Sequence, residues 1–185
     1  MGKIIMSASM SADGFYEGPD RDISWHRVDD DLHRHMNEKL GAMSAFLMGR
    51  VNYELMESVW PTADQNPDFD PAMQEFAPIW RDIPKVVYSR TLEQVGANAT
   101  LVREVVPDEV RAITAGGDAV VGGADLAASF QRLGLIDEYH VYVMPVVIGG
   151  GRRLFPDDRI DLYLEEARPF GDGVVLLRYA TGTAG

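Results

Sequence analysis

Apolar and polar positions along this chain switch between two rhythms, one repeating about every four residues and one nearly continuous over short runs. The run Lys3 to Met10 predicts a first strand, and the polar, glycine-containing stretch Ser11 to Trp25 predicts a loop. Leu32, Met36 and Leu40 recur at helical spacing, so Asp29 to Leu40 predicts a helix with acidic residues at its favoured amino end. Ala45 to Met48 predicts a short buried strand, and Gly49-Arg50 leads into a helix through Leu55, Met56 and Val59. The Pro- and Asp-rich stretch Trp60 to Pro71 predicts a loop, and Met73, Phe76, Ala77 and Trp80 mark the next helix. Lys85–Tyr88 and Thr100–Val102 predict strands, followed by a short helix after Pro107 and a strand over Ala119–Val121. Leu126, Ala127, Phe130 and Leu133 then form an apolar stripe on a helix closed by Gly134.

The last third changes character. Glu138 to Val147 alternates and is rich in Tyr and Val, which predicts a strand, and Ile160–Ala167 and Val174–Tyr179 predict two more, antiparallel. Strands alternating with helices and ending in strands imply an α/β fold: a mixed, mainly parallel sheet flanked by helices, with antiparallel carboxyl-terminal strands. At 185 residues, with no repeat or linker, the chain reads as one domain over 1–185.

Where strands hand over to helices, the residue types become chemically informative. Val120-Val121-Gly122-Gly123-Ala124-Asp125-Leu126 ends an apolar strand in a glycine pair and starts a helix at once. Free backbone N–H groups and the positive end of the helix dipole meet there, a setting that suits a phosphate. Without Cβ atoms, Gly122 and Gly123 let ligand oxygens reach the main chain. Met48-Gly49-Arg50 and Tyr88-Ser89-Arg90-Thr91 are similar junctions carrying guanidinium groups. In open α/β sheets, ligands lie outside the carboxyl ends of strands, where all three fall. Arg50 and Arg90 therefore suit a dinucleotide bearing an extra 2′-phosphate, although each taken singly reads equally as a surface ion pair. Ile148-Gly149-Gly150-Gly151-Arg152-Arg153 carries two more cations but reads as a long turn between strands.

A second constellation is Ser11-Ala12-Asp13-Gly14, with Trp25 and Asp29-Asp30-Asp31 beyond it. Asp-Gly is a common turn pair, and an acidic triplet before a helix commonly caps it. The functional alternative sets the Asp13 carboxylate and the Trp25 wall beside a reacting ring, with the Gly14–Gly18 loop as a lid. Hydride transfer also needs a proton, which an Asp of raised pKa or an ordered water can supply.

Composition narrows the classes. A net charge of −12 argues against nucleic acid or an anionic membrane as partner. Having no cysteine, the chain has no disulfide, thiolate metal site or thiol nucleophile. No metal site is expected, since His33 and His35 point to nearly opposite sides of their helix. Serine-hydrolase, P-loop and zinc-peptidase motifs are missing. The amino terminus shows neither a secretory signal pattern nor a myristoylation site, so a cytoplasmic location is expected.

These residues resemble the dihydrofolate-reductase-like proteins, which include the reductase domain of the riboflavin-biosynthesis deaminase/reductase. The resemblance runs from the Ser-x-Asp-Gly loop at 11–14 to the final strands. It is carried by Met48-Gly49-Arg50-x-x-Tyr53-Glu54, Lys85-Val86-Val87-x-Ser89-Arg90-Thr91-Leu92, Val121-Gly122-Gly123-Ala124-x-Leu126 and Gly134-Leu135-Ile136-Asp137-Glu138-Tyr139. Pro145-Val146-Val147-Ile148-Gly149-Gly150-Gly151 and then Leu154-Phe155 complete it.

The resemblance implies an NADPH-binding α/β fold, commonly dimeric. It would place Gly49, Arg50, Ser89, Arg90 and Thr91 around the adenosine and its 2′-phosphate, and Gly122, Gly123, Ala124 and Leu126 along the pyrophosphate. Two departures bear on the substrate. True dihydrofolate reductases carry one acid on the first helix shortly after a Pro-Trp pair; here Ser24 precedes Trp25 and three Asp compete, with Asp31-Leu32 aligning best. The zinc-deaminase partner of the riboflavin reductase is missing, because there is no Cys and no H-x-E motif.

The expectation is an NADPH-dependent reductase acting on a small pterin- or aminopyrimidine-like, carbonyl or imine substrate. Asp13 and Asp31 are the candidate catalytic acids, and Trp25 and Gly14 line the substrate. The alternatives are a nucleotide- or pterin-binding protein without turnover, and an interaction protein whose Glu138–Val147 edge pairs with a second copy. A homodimer is expected, and the last reading is compatible with the reductase.

Overall fold

In the computed structural model, which describes residues 1–155 and 159–182, strands and helices alternate much as the apolar pattern requires. In chain order they are β1 (Ile4–Ser11), β2 (Phe15–Glu17), α1 (Asp30–Gly41), β3 (Ala45–Gly49), α2 (Arg50–Glu57), α3 (Pro71–Asp82), β4 (Lys85–Tyr88) and β5 (Ala99–Val102). There follow α4 (Pro107–Ile113), β6 (Ala119–Gly122), α5 (Ala124–Arg132), β7 (Glu138–Met144), β8 (Arg152–Arg153), β9 (Leu162–Pro169) and β10 (Val175–Thr181).

Eight strands make one sheet in the order β5-β4-β3-β6-β1-β7-β10-β9. The six from β5 to β7 run parallel, and β10 turns the sheet antiparallel by pairing with both β7 and β9. The side-chain period of two sorts each strand between two cores. Ala45, Leu47 and Val121 face α4 and α5, packing with Val110, Leu126 and Phe130. Phe46, Met48, Val87 and Val120 face the other way, onto Tyr53 of α2 and Phe76 and Trp80 of α3. Leu32 of α1 covers the β7/β10 part of that second face with Tyr142, Met144 and Leu176.

Four details correct the sequence reading. Residues 11–25 are not all loop: β2 pairs antiparallel with β8, so the expected lid is a two-stranded ribbon. A short 3-10 helix (Trp60–Gln65) interrupts the expected 60–71 loop, closed by the Ala63 carbonyl accepting from Asn66 N–H. Leu133 is 47% exposed and caps α5 instead of joining its apolar stripe, which rests on Leu126, Ala127 and Phe130. Finally, β7 lies inside the sheet between β1 and β10, so the Glu138–Val147 segment offers no free edge to a second copy. A homodimer would have to use another surface.

A buried charge cluster crosses the sheet on the α1 side. The Glu138 carboxylate accepts from Lys3 Nζ and sits 2.9 Å from His140 Nε2, with Arg178 at 3.6 Å. Burial alone pushes this carboxyl up, but the Lys3 and His140 hydrogen bonds outweigh it and hold it below the usual 4.5. Burial also holds His26, His33, His35 and His140 below 6.5. A depressed histidine pKa means the unfolded chain takes up protons first as pH falls below 6.5, and the depressed Glu138 adds the same sign at lower pH. Stability is therefore expected to decline on acidification. The melting temperature should fall steadily between pH 7.5 and 5, where a chain with unshifted groups would show a flat profile.

Candidate functional site

The parallel strands bring their carboxyl ends to one edge of the sheet. There Gly49 lies opposite Tyr88 and Met48 opposite Gly122, so the β4, β3 and β6 tips are immediate neighbours. β1 is next in order and extends to Ser11, opposite Met144. The sheet thus gathers the three junctions singled out in the sequence, together with the 11–14 loop, along one rim.

What distinguishes this rim is the state of the helix starts. α1 is capped by the Asp29 side chain, which accepts from Leu32 N–H at 2.8 Å, and α3 likewise by Asp70 and Met73 N–H. α4 also starts without a side-chain cap, at Val106, though Pro107 leaves it one donor fewer; α2 and α5 begin at Gly49 and Gly123, likewise with no side-chain cap. Their first-turn N–H groups have no partner within the helix and no capping oxygen to replace it. These two starts touch: a Cβ on Gly49 would stand 3.7 Å from Leu126 Cβ.

Asn52, on the first turn of α2, supplies the reason for the glycine pair. A Cβ on Gly122 would come within 2.6 Å of Asn52 Nδ2, and one on Gly123 within 3.3 Å of Asn52 Cβ. Gly123 also holds φ +95°, a conformation that penalises any residue with a Cβ. The glycines therefore serve close helix-to-helix approach as well as an open main chain. Nothing in the local sequence around Gly122 points to Asn52, seventy residues upstream, so it escaped sequence reasoning.

The turn after β4 is built in advance. Ser89 is buried, and its Oγ accepts from Leu92 N–H at 2.9 Å and Thr91 N–H at 3.2 Å. Arg103 Nη1 donates to the Ser89 and Leu92 carbonyls at 2.8 and 2.6 Å, locking the same turn from outside. Arg90 and Thr91 are left exposed at its apex, and Arg90 has no ion-pair partner among the described residues. Arg50 differs: its Nη1 lies 2.9 Å from Glu54 Oε2, an exposed pair one turn along α2.

On the β1 side, the Asp13 carboxylate accepts from Gly149 N–H at 2.8 Å and Ile148 N–H at 3.2 Å. The Ser11 hydroxyl, and then these amides, hold it below the usual carboxylate range. That is the opposite of the raised pKa a proton donor needs. The geometry gives Asp13 the work of tying the 11–14 loop to the 149–151 turn. Gly14, at φ +92°, turns the chain beside it, with Arg153 Nη1 3.5 Å from where its Cβ would stand. Arg153 itself lies over the Phe15 ring at 5.1 Å.

The acidic triplet separates into three roles. Asp29 caps α1, Asp30 pairs with Arg34 at 3.3 Å, and Asp31 is exposed with no polar partner among the described residues. Trp25 packs against the Leu32–Tyr142–Met144 cluster and donates its Nε1–H to the Asp22 carbonyl at 2.9 Å. Asp13 and Asp31 are not joined by any hydrogen bond. Among the described residues no group of three or more His, Asp or Glu could hold a metal ion, and no helix is long and apolar enough to cross a membrane.

A mainly parallel sheet of this strand order, ending in antiparallel strands and flanked by five helices, places the chain in the dihydrofolate-reductase-like class of α/β fold. Within that class the chain belongs to the RibD C-terminal domain family, whose profile matches residues 2–176. It is 31% identical over 182 residues to the uncharacterized protein YyaP of Bacillus subtilis (strain 168), spanning 96% of this chain and 94% of that protein. A solved structure from Shewanella sp. PV-4, assigned provisionally to riboflavin biosynthesis, superposes with a TM-score of 0.73 at 18% identity, covering 98% of this chain and 99% of that one. Dihydrofolate reductase from Enterococcus faecalis, solved with NADP(H) and RAB-propyl, superposes with a TM-score of 0.66 at 11% identity, covering 98% of each chain.

Proposed function

We propose that this protein is an NADPH-dependent reductase of small pterin- or aminopyrimidine-like compounds. The observation that carries the reading is the meeting of two helix starts without side-chain caps at Gly49 and Gly123, beside an exposed Arg90. This donor set fits a dinucleotide bearing a 2′-phosphate. The first-turn amides of α2 and α5 suit the pyrophosphate, and Arg90, Thr91 and Arg50 suit the adenosine end. When bound, NADPH supplies the hydride.

The chain's own residues do the rest. Trp25 gives the substrate ring a flat apolar wall, and Asp13 fixes the loop on which Gly14 turns toward it. Asp31, the unpaired acid of the triplet, orients the substrate or a water that delivers the proton.

Titration of the purified protein with NADPH and NADH, followed by fluorescence, tests the cofactor assignment. Saturable binding with a clear preference for NADPH is expected; no binding, or equal affinity for both, overturns it. NADPH oxidation with a panel of dihydropterins and aminopyrimidines then separates a reductase from a binding protein without turnover, which would saturate but oxidise nothing.

A further inference from the structure

β8 places an arginine across the same rim from the opposite side. Arg152 Nη2 donates to Asp125 Oδ1, and Arg152 Nη1 stands 3.8 Å from Glu17 Oε1. Asp125 is the second residue of α5, directly beside the bare amides that follow Gly123. The position of Arg152 is set by the backbone before it. Gly151, at φ +132°, lies flush on β2, where a Cβ would come within 2.1 Å of the Glu17 carbonyl oxygen. On the other side Leu154 is buried in the core, and its N–H donates to the Gly14 carbonyl at 3.2 Å. The segment 151–154 is therefore a rigid bridge from β2 to the start of α5.

An aspartate at this place is at odds with an anion on the adjacent amides. Its side chain is 86% exposed, so it makes no packing contribution that would account for it. Its one strong partner is Arg152, and an exposed ion pair of this kind is easily exchanged. A diphosphate offers the guanidinium a more highly charged, bidentate partner at nearly the same position.

We infer that Arg152 is a strap over the dinucleotide groove, parked on Asp125 and transferred to the diphosphate when the cofactor enters. This rests on the dinucleotide reading above and adds a third guanidinium to Arg50 and Arg90, from an element remote from both in sequence. The Asp125 carboxylate holds the guanidinium in readiness and keeps the bare α5 start from capturing other anions.

Dissociation constants for NADPH, measured by fluorescence or calorimetry, test this with Arg152→Ala, Arg152→Lys, Asp125→Asn and the double variant Arg152→Ala/Asp125→Asn. Melting temperatures check that each variant is folded. Loss of a charge-assisted phosphate contact should weaken NADPH roughly tenfold in Arg152→Ala, with Arg152→Lys recovering part of it. Asp125→Asn should bind as well as wild type or better, and the double variant should remain roughly tenfold weaker than Asp125→Asn. If the double variant instead regains wild-type affinity, Arg152 only neutralises Asp125 and the strap is overturned. Unchanged affinity in Arg152→Ala overturns it as well while leaving the dinucleotide reading intact. Wild-type protein that binds no NADPH overturns both.

Discussion

Arg90→Ala is expected to weaken NADPH binding by roughly 10- to 100-fold and to leave NADH binding nearly unchanged. The magnitude follows from hydrogen bonds to a charged group, worth about 1.5–3 kcal/mol each. The asymmetry follows from the 2′-phosphate, which only NADPH carries. Arg90 is the favoured clamp because its turn is already built: Ser89 Oγ and Arg103 hold residues 89–92, so ordering the loop adds little cost. Its guanidinium has no ion pair to break among the described residues, whereas Arg50 must leave Glu54. Arg50→Ala should accordingly cost less. Affinities for both cofactors, measured at fixed ionic strength, decide the matter. Equal losses for NADPH and NADH would move the 2′-phosphate away from Arg90.

Most of the strand and helix order was legible because it depends on local periodicity. Strands such as Lys85–Tyr88 are short apolar runs, and α1, α3 and α5 carry residues at helical spacing that the sheet then buries. The rim was legible for a related reason. Parallel strands put every strand-to-helix junction on one edge, so glycine and arginine at those junctions converge once the sheet is parallel.

What stayed hidden depends on contacts between segments distant in the chain. Asn52 fills the space that Gly122 and Gly123 leave open, and Arg152 reaches Asp125 across 27 positions. The downward Asp13 shift comes first from the nearby Ser11 hydroxyl, and the Gly149 and Ile148 amides that add to it lie 136 and 135 positions away. β2 was missed because three residues give too few alternations to register, and its partner β8 is only two residues long. Leu133 continued the helical spacing arithmetically, but α5 had already ended there, and φ +64° at Gly134 turns the chain away.

The largest effect on stability is expected from Trp80→Ala, although Trp80 touches neither rim nor cofactor. Its side chain is 1% exposed among Phe46, Tyr53 and Phe76, and removing a buried aromatic of this size costs about 3–5 kcal/mol. Trp80 also seats α2. Its Nε1–H donates to Glu57 Oε2 at 2.8 Å, and its ring stacks on Tyr53, whose hydroxyl accepts from Gly96 N–H at 2.8 Å. α2 carries Gly49, Arg50 and Asn52 at its start, so loosening its far end should disturb the cradle as well as the core. Trp80→Phe separates the two contributions: most of the apolar packing stays, while Glu57 loses its donor at a cost of about 1–3 kcal/mol. Chemical denaturation should rank wild type above Trp80→Phe above Trp80→Ala. NADPH affinity should fall in Trp80→Phe even under conditions where that variant is fully folded. If it binds NADPH like wild type, the seating of α2 does not depend on the Trp80–Glu57 bond, and the start of α2 is held in place by the sheet alone.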